Sequence, residues 1–180
     1  MGMWPDAEED YVANLAPMMS SAKQDWRTPR IVLDRVRRMG PIMLDPCAAP
    51  RANCWFAEWS CTPSHVREDQ RDGLAVCWIS VRGLVFVNSE YGRAIPKWVA
   101  KARSDAARGA EIIGLWPARP DTRWFPWDAD AICFWRGRLK FETDDGPADP
   151  APFPSALPYW GKRIAQFRNA FADAGHIVIP

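Results

Sequence analysis

Gly83-Leu84-Val85-Phe86-Val87-Asn88-Ser89-Glu90-Tyr91-Gly92 is the stretch on which the fold turns. An apolar strand, 84–87, runs straight into a polar turn. Beyond it, Ile95, Trp98, Val99, Ala102 and Ala106 share one face of a helix predicted over 94–108, with Gly109 as its stop. Residues 111–116 then form an apolar run typical of a parallel sheet. Strand, helix and strand in that order predict an α/β unit.

Working outward, Asp25-Trp26-Arg27-Thr28-Pro29 reads as a helix start, with Thr28 as N-cap and Pro29 at the first helical position. Val32, Val36 and Met39 follow at helical spacing, and Gly40 sits where a C-cap glycine belongs. Pro41-Ile42-Met43-Leu44-Asp45 reads as a short buried strand ending on a carboxylate, followed by the turn Pro46-Cys47-Ala48-Ala49-Pro50. Carboxylates at the carboxyl ends of strands in open α/β sheets commonly face ligands. Cys54-Trp55-Phe56-Ala57 suggests a second strand, and 62–72 a polar loop closing on Asp72-Gly73-Leu74.

Downstream come a loop at 117–121, a short helical turn near 122–125 and a strand at 130–135. Late strands at 137–141 and 156–160 bracket an acidic, proline-rich loop, 142–154. Ile164, Phe167 and Phe171 mark a last helix, stopped by Gly175 before 177–179. The expectation is an α/β fold with a mostly parallel central sheet flanked by helices. Residues 24–180 form one domain, and 1–23, acidic and then Met-rich, form a flexible tail.

A chain of 180 residues with 48% apolar and 25% charged content suits a single core. No apolar run approaches the ~20 residues of a membrane span. Residues 1–10 carry Asp6, Glu8, Glu9 and Asp10 and no base, unlike a signal or transit peptide, so a soluble intracellular protein is expected. Net charge is +1, so no global field advertises a polyanion. Basic residues nevertheless cluster at 23–38, 93–108 and 136–140, and three clusters around one site would suit a phosphate backbone. The five cysteines include no Cys-x-x-Cys pair. Cys54, Cys61 and His65 lack the paired spacing of a structural zinc site, so no metal is expected and reduced thiols are.

Asn88 and Tyr91 bear the chemistry. An amine on a nucleobase is a poor nucleophile because its lone pair is delocalised into the ring. Accepting both amine hydrogens localises that pair, which takes a side-chain amide oxygen and a main-chain carbonyl at a tight turn. An aromatic ring must also stack on the flipped-out base. Asn88, the Ser89 carbonyl and Tyr91 supply these three groups in order.

The chain resembles the phage-type DNA N6-adenine methyltransferases, small S-adenosylmethionine-dependent enzymes of the Dam-like group. Besides the words already quoted, the similarity rests on Gly92-Arg93, Lys97-Trp98-Val99 and Pro117-Ala118-Arg119-Pro120-Asp121-Thr122-Arg123-Trp124-Phe125. It continues through Arg136-Gly137-Arg138-Leu139-Lys140-Phe141 and Ala151-Pro152-Phe153-Pro154-Ser155-Ala156, covering about 24–160. The resemblance implies a Rossmann-like class I methyltransferase fold, DNA as partner and a cytoplasmic setting in a bacterial host, phage or prophage in origin. It implies that Trp26, Thr28, Pro29, Asp45, Pro46, Cys47 and Asp72 hold the cofactor, and that Asn88, Ser89, Glu90 and Tyr91 form the catalytic tetrapeptide. Arg93, Lys97, Arg119, Arg123, Arg138 and Lys140 are the cations expected to meet DNA.

The family pattern at this tetrapeptide is Asn-Pro-Pro-Tyr or Asp-Pro-Pro-Tyr, and here Ser89 and Glu90 replace both prolines. Ser89 still presents a carbonyl but loses a turn pre-set by fixed φ angles. Glu90 leaves three readings open: a tolerated variant facing Arg93 or solvent, an acid/base or extra acceptor, or a fold that has lost methylation. The functional alternatives are methylation of cytosine N4 and a non-catalytic DNA-binding protein on the same fold. No separate recognition domain fits in the chain, so loops such as 61–72 and 142–154 are expected to read a short or relaxed site.

Overall fold

The computed structural model describes residues 27–48, 56–62, 65, 67–143 and 146–180. The tail expected at 1–23, Trp26, Cys54 and the first half of the strand expected at 54–57 lie outside the described residues.

Helix α1 (Arg30–Arg37) leads into β1 (Ile42–Asp45), then β2 (Ala57–Ser60). Strand β3 (Leu84–Val87), helix α2 (Ile95–Ala107) and β4 (Glu111–Gly114) follow the expected order, and β5 (Trp116–Pro117) continues beyond Leu115. Strand β6 (Ala131–Trp135), the pair β7 (Lys140–Thr143) and β8 (Gly146–Pro150), then β9 (Ser155–Trp160) come next. Helix α3 (Ile164–Phe171) and β10 (Gly175–Val178) complete the chain.

The principal sheet has 8 strands in the order β10-β6-β9-β4-β3-β1-β2, with β5 also paired to β9. Its β2-β1-β3-β4 half is parallel. Strand β9 runs antiparallel to β4, β5 and β6, and β10 antiparallel to β6. The sheet is therefore mixed, where a mostly parallel one was expected. The β7–β8 hairpin follows β6 without a return helix, so β9 starts from the edge where β4 and β6 end and must run the other way. Antiparallel neighbours need only such short connections.

Both faces of the sheet are covered, which explains why all four residues of β3 are buried. Alternate side chains serve opposite layers. Leu84 and Phe86 join Val32, Leu33, Val36, Phe167 and Phe171 of α1 and α3, whereas Val85 and Val87 join Ile95, Trp98, Val99 and Ala102 of α2. Among the described residues no helix is long and apolar enough to cross a membrane.

Three local expectations change. The loop expected at 142–154 contains β8, which pairs with β7. The 122–125 segment makes turns, Thr122 N to Arg119 O at 3.1 Å and Phe125 N to Thr122 O at 3.2 Å, rather than a helical element. Pro126 restricts the residue before it and stops the turn from propagating. Helix α1 begins at Arg30 with Pro29 as N-cap, not Thr28. The main-chain N–H of Arg30 instead donates to Glu142 Oε1 at 3.2 Å. The carboxylate arrives because Arg27 and Glu142 exchange main-chain hydrogen bonds of 2.9 and 3.1 Å.

Candidate active site

Strands β1, β3, β4 and β6 run the same way, so Asp45, Asn88, Leu115 and Arg136 leave the sheet along one edge. From β1 the chain goes to β2 on one side and reaches β3 on the other. Such a reversal of strand order opens a crevice at the carboxyl ends. Asp45 and Asn88 stand on its two sides.

Asn88 is half-buried, and its Nδ2 donates to Thr28 Oγ1 at 2.9 Å. Thr28 is 7% exposed, so the hydroxyl expected to cap α1 is spent on Asn88 instead. Ser89 is 3% exposed, and its Oγ accepts from the buried Trp116 indole Nε1–H at 3.0 Å. Glu90 is exposed, and among the described residues it forms no ion pair with Arg93.

Tyr91 stands edge-on to Phe141, with ring centroids 5.7 Å apart, and to Phe153 at 5.3 Å. Its hydroxyl is buried without a hydrogen-bond partner among the described residues. Burial, and secondarily the Cys47 thiol, raises the Tyr91 pKa far above its ordinary value.

Across the crevice, Asp45 is 6% exposed and its Oδ1 accepts from Cys47 N at 3.0 Å. Burial pushes the Cys47 thiol well above the usual range, and the Asp45 and Glu90 carboxylates push it further. The Asn88 main-chain N–H opposes them. Burial is the larger cause, and the two carboxylates add to it.

Gly73 brings the Asp72 segment against Pro46: a Cβ there would lie 1.7 Å from the Pro46 carbonyl oxygen, so only glycine fits this approach. Asp72 is exposed and its Oδ1 accepts from Leu74 N at 2.9 Å. Thr28, Pro29, Asp45, Pro46, Cys47, Asp72 and residues 88–91 therefore gather about one crevice. Trp26 lies outside the described residues.

The basic clusters divide. Arg35 and Arg38 are drawn to Asp173, Lys101 and Arg108 to Asp105, and Arg103 to Asp128. Arg93, Lys97, Arg138 and Lys140 are exposed and have no ion pair among the described residues. Arg93 and Lys97 follow β3, and Arg138 and Lys140 follow β6, on the edge that carries Asn88. Arg119 is half-buried just beyond β5. Arg123 lies farther along the connection that takes the chain back to the start of β6 at the opposite edge.

Trp116, Phe141, Phe153 and Glu142 escaped the sequence reading as contributors to the site. Phe141 and Phe153 stand in words already quoted for the resemblance, but nothing in their local pattern connects them to Tyr91. Trp116 looked like one more apolar residue of a strand.

The chain is thus an α/β protein with a polar site at the carboxyl edge of its sheet, across a reversal of strand order. The particular family follows from comparison: the model of the DNA N-6-adenine-methyltransferase (Dam) family matches residues 16–154, and the chain belongs to that family. The family is one of DNA methyltransferases. No curated protein matches the chain.

Proposed function

We propose that this protein transfers a methyl group from S-adenosylmethionine to N6 of adenine in DNA, on a Rossmann-like class I methyltransferase fold. The observation that carries the reading is the Asn88 amide. Its nitrogen is tied to Thr28, and Oδ1, at the carboxyl end of β3, has no hydrogen-bond partner among the described residues. Asn88 Oδ1 accepts one hydrogen of the adenine amine, and the Ser89 carbonyl accepts the other. The lone pair is thereby concentrated on nitrogen. Tyr91, braced by Phe141 and Phe153, stacks on the flipped base.

The cofactor's chemistry fits the residues present. S-Adenosylmethionine carries a sulfonium and an ammonium group, and the carboxylates of buried Asp45 and exposed Glu90 stand near Cys47 at this edge of the sheet. Thr28, Pro29, Asp45, Pro46, Cys47 and Asp72 would hold it, with Trp26 contributing from the adjoining segment. When bound, it supplies an electrophilic methyl group. Exposed Arg93, Lys97, Arg138 and Lys140, with Arg119, meet the phosphates of the strand whose base enters the site. The reading places the protein in the cytoplasm of a bacterial host.

The test is incubation of DNA with tritiated S-adenosylmethionine, followed by mass spectrometry of the digested nucleosides. N6-methyladenine is expected from the parent and none from Asn88→Ala. Labelled N4-methylcytosine would move the substrate to cytosine, and undiminished transfer by Asn88→Ala would refute the site.

A further inference from the structure

We infer that Trp116 is a positioning residue for the catalytic turn, holding Ser89 by a hydrogen bond where the family pattern has proline. The inference rests on the methyl-transfer reading and concerns how this chain keeps its acceptor carbonyl in place.

Two hydrogen bonds fasten the end of β3 to the start of β5. The main-chain N–H of Leu115 donates to Val87 O at 2.8 Å, and the Trp116 indole N–H donates to Ser89 Oγ at 3.0 Å. One contact fixes where the strand ends, and the second fixes how the turn leaves it. Ser89 is 3% exposed and Trp116 1%, so neither group has water as an alternative. Removing one partner leaves the other buried and unpaired, which costs more than the bond gains.

The indole is itself held in place. A Cβ at Gly114 would lie 2.0 Å from Trp116 Cζ3, so the ring occupies the space a side chain at 114 would need. Trp160 stands edge-on to it with ring centroids 6.3 Å apart, and the Trp116 main chain pairs with Ala156 of β9. Packed against Gly114 and Trp160 and buried, the ring makes its indole N–H a fixed point for Ser89.

Proline at 89 would pre-set one backbone angle but offers no acceptor side chain. In this chain, restoring the family residue therefore strands the Trp116 N–H. Ser89 and Trp116 act as a unit, and their substitutions are non-additive.

The experiment measures methyl-transfer kinetics on DNA for the full chain and for W116F, S89A, S89P and the doubles S89A/W116F and S89P/W116F. W116F and S89A each lower kcat by about tenfold, the scale of one hydrogen bond, with KM for DNA within about twofold of the parent. The S89A/W116F double loses no more than either single. S89P is slower than S89P/W116F, because the second substitution removes the stranded donor. Thermal melting confirms that each compared variant is folded, and if S89P does not fold, the alanine series decides alone. W116F with parental kcat, or S89P at least as fast as the parent, overturns the inference while leaving the reading intact. A folded parent that transfers no methyl overturns both.

Discussion

The Asn88 amide nitrogen donates a 2.9 Å hydrogen bond to the Thr28 hydroxyl, joining the foot of α1 to the carboxyl end of β3. A primary amide can present either end to a substrate, and only the oxygen can accept an amine hydrogen. In this structure the hydroxyl accepts from the nitrogen, so the oxygen is the end left for a substrate. Thr28→Val keeps the shape and removes the acceptor, so kcat should fall by about tenfold, while Thr28→Ser retains the hydroxyl and most of the rate. Steady-state methyl transfer checks this, and a valine variant as fast as the parent would contradict it.

Tyr91 separates the ring from its hydroxyl. The hydroxyl is buried without a partner among the described residues, a state that costs about 1–3 kcal/mol in stability. Tyr91→Phe should leave the protein as stable as the parent or more so, whereas Tyr91→Ala removes the stacking surface and should abolish transfer. Denaturant melts of Tyr91→Phe are decisive: a loss of more than about 1 kcal/mol would reveal a partner for the hydroxyl.

The parts of this molecule written in local pattern were legible in the sequence. The run 84–87 became β3 with those bounds, and the helix expected at 94–108 became α2 (Ile95–Ala107), because apolar periodicity reports burial directly. Local pattern also placed Asp45 and Asn88 at the carboxyl ends of their strands, while the role given to Asn88 came from the resemblance. What remained hidden depends on residues distant in the chain. Nothing near Thr28 says that its hydroxyl serves Asn88 rather than α1, and nothing near Pro29 announces a carboxylate from Glu142. The direction of β9 was equally hidden, because strand pattern carries no polarity and the β8 strand within the expected loop was not anticipated. Ser89 looked like a lost proline only while Trp116 was out of view.

Arg93, Lys97, Arg138 and Lys140 lie along the edge of the site without ion pairs among the described residues, so their charges are available to phosphate. Each replaced by Gln should weaken DNA binding and make the dependence of log affinity on log salt shallower by about one unit. Arg103→Gln should leave the slope unchanged, because Arg103 is paired with Asp128 at 2.6 Å. Fluorescence titrations over a salt series measure both, and equal slopes for all variants would remove these side chains from the interface.

The described cysteines differ in thiol acidity. Main-chain N–H groups of Ser80 and Ile79 lower the pKa of exposed Cys77, whereas burial, with nearby carboxylates, raises Cys61 to about 11. Burial raises Cys133 to about 12. The thiolate is the reactive form. Iodoacetamide near neutral pH should therefore modify Cys77 first among these three, at a rate that rises with pH and levels off below the ordinary thiol range. Cys61 and Cys133 should stay unlabelled while the protein is folded. Peptide mass spectrometry along a time course reads this, and early labelling of Cys133 would contradict the burial.

Glu142 connects stability to the site. Its carboxylate accepts the Arg30 N–H at the start of α1, two residues after Thr28, while its main chain pairs with Arg27. A carboxylate there satisfies an orphan donor and faces the positive end of the helix dipole. Glu142→Ala removes both contributions and should cost about 1 kcal/mol. Glu142→Gln keeps an acceptor and loses only the charge, so it should cost about half as much. The main-chain pairing survives in both, which limits the damage to the helix start. Loosening that start frees Thr28, so methyl transfer should fall further in Glu142→Ala than in Glu142→Gln, in the order of their stabilities. Melting curves and kcat measured on the same preparations provide the check; two variants equal in both would show that the carboxylate does not cap α1.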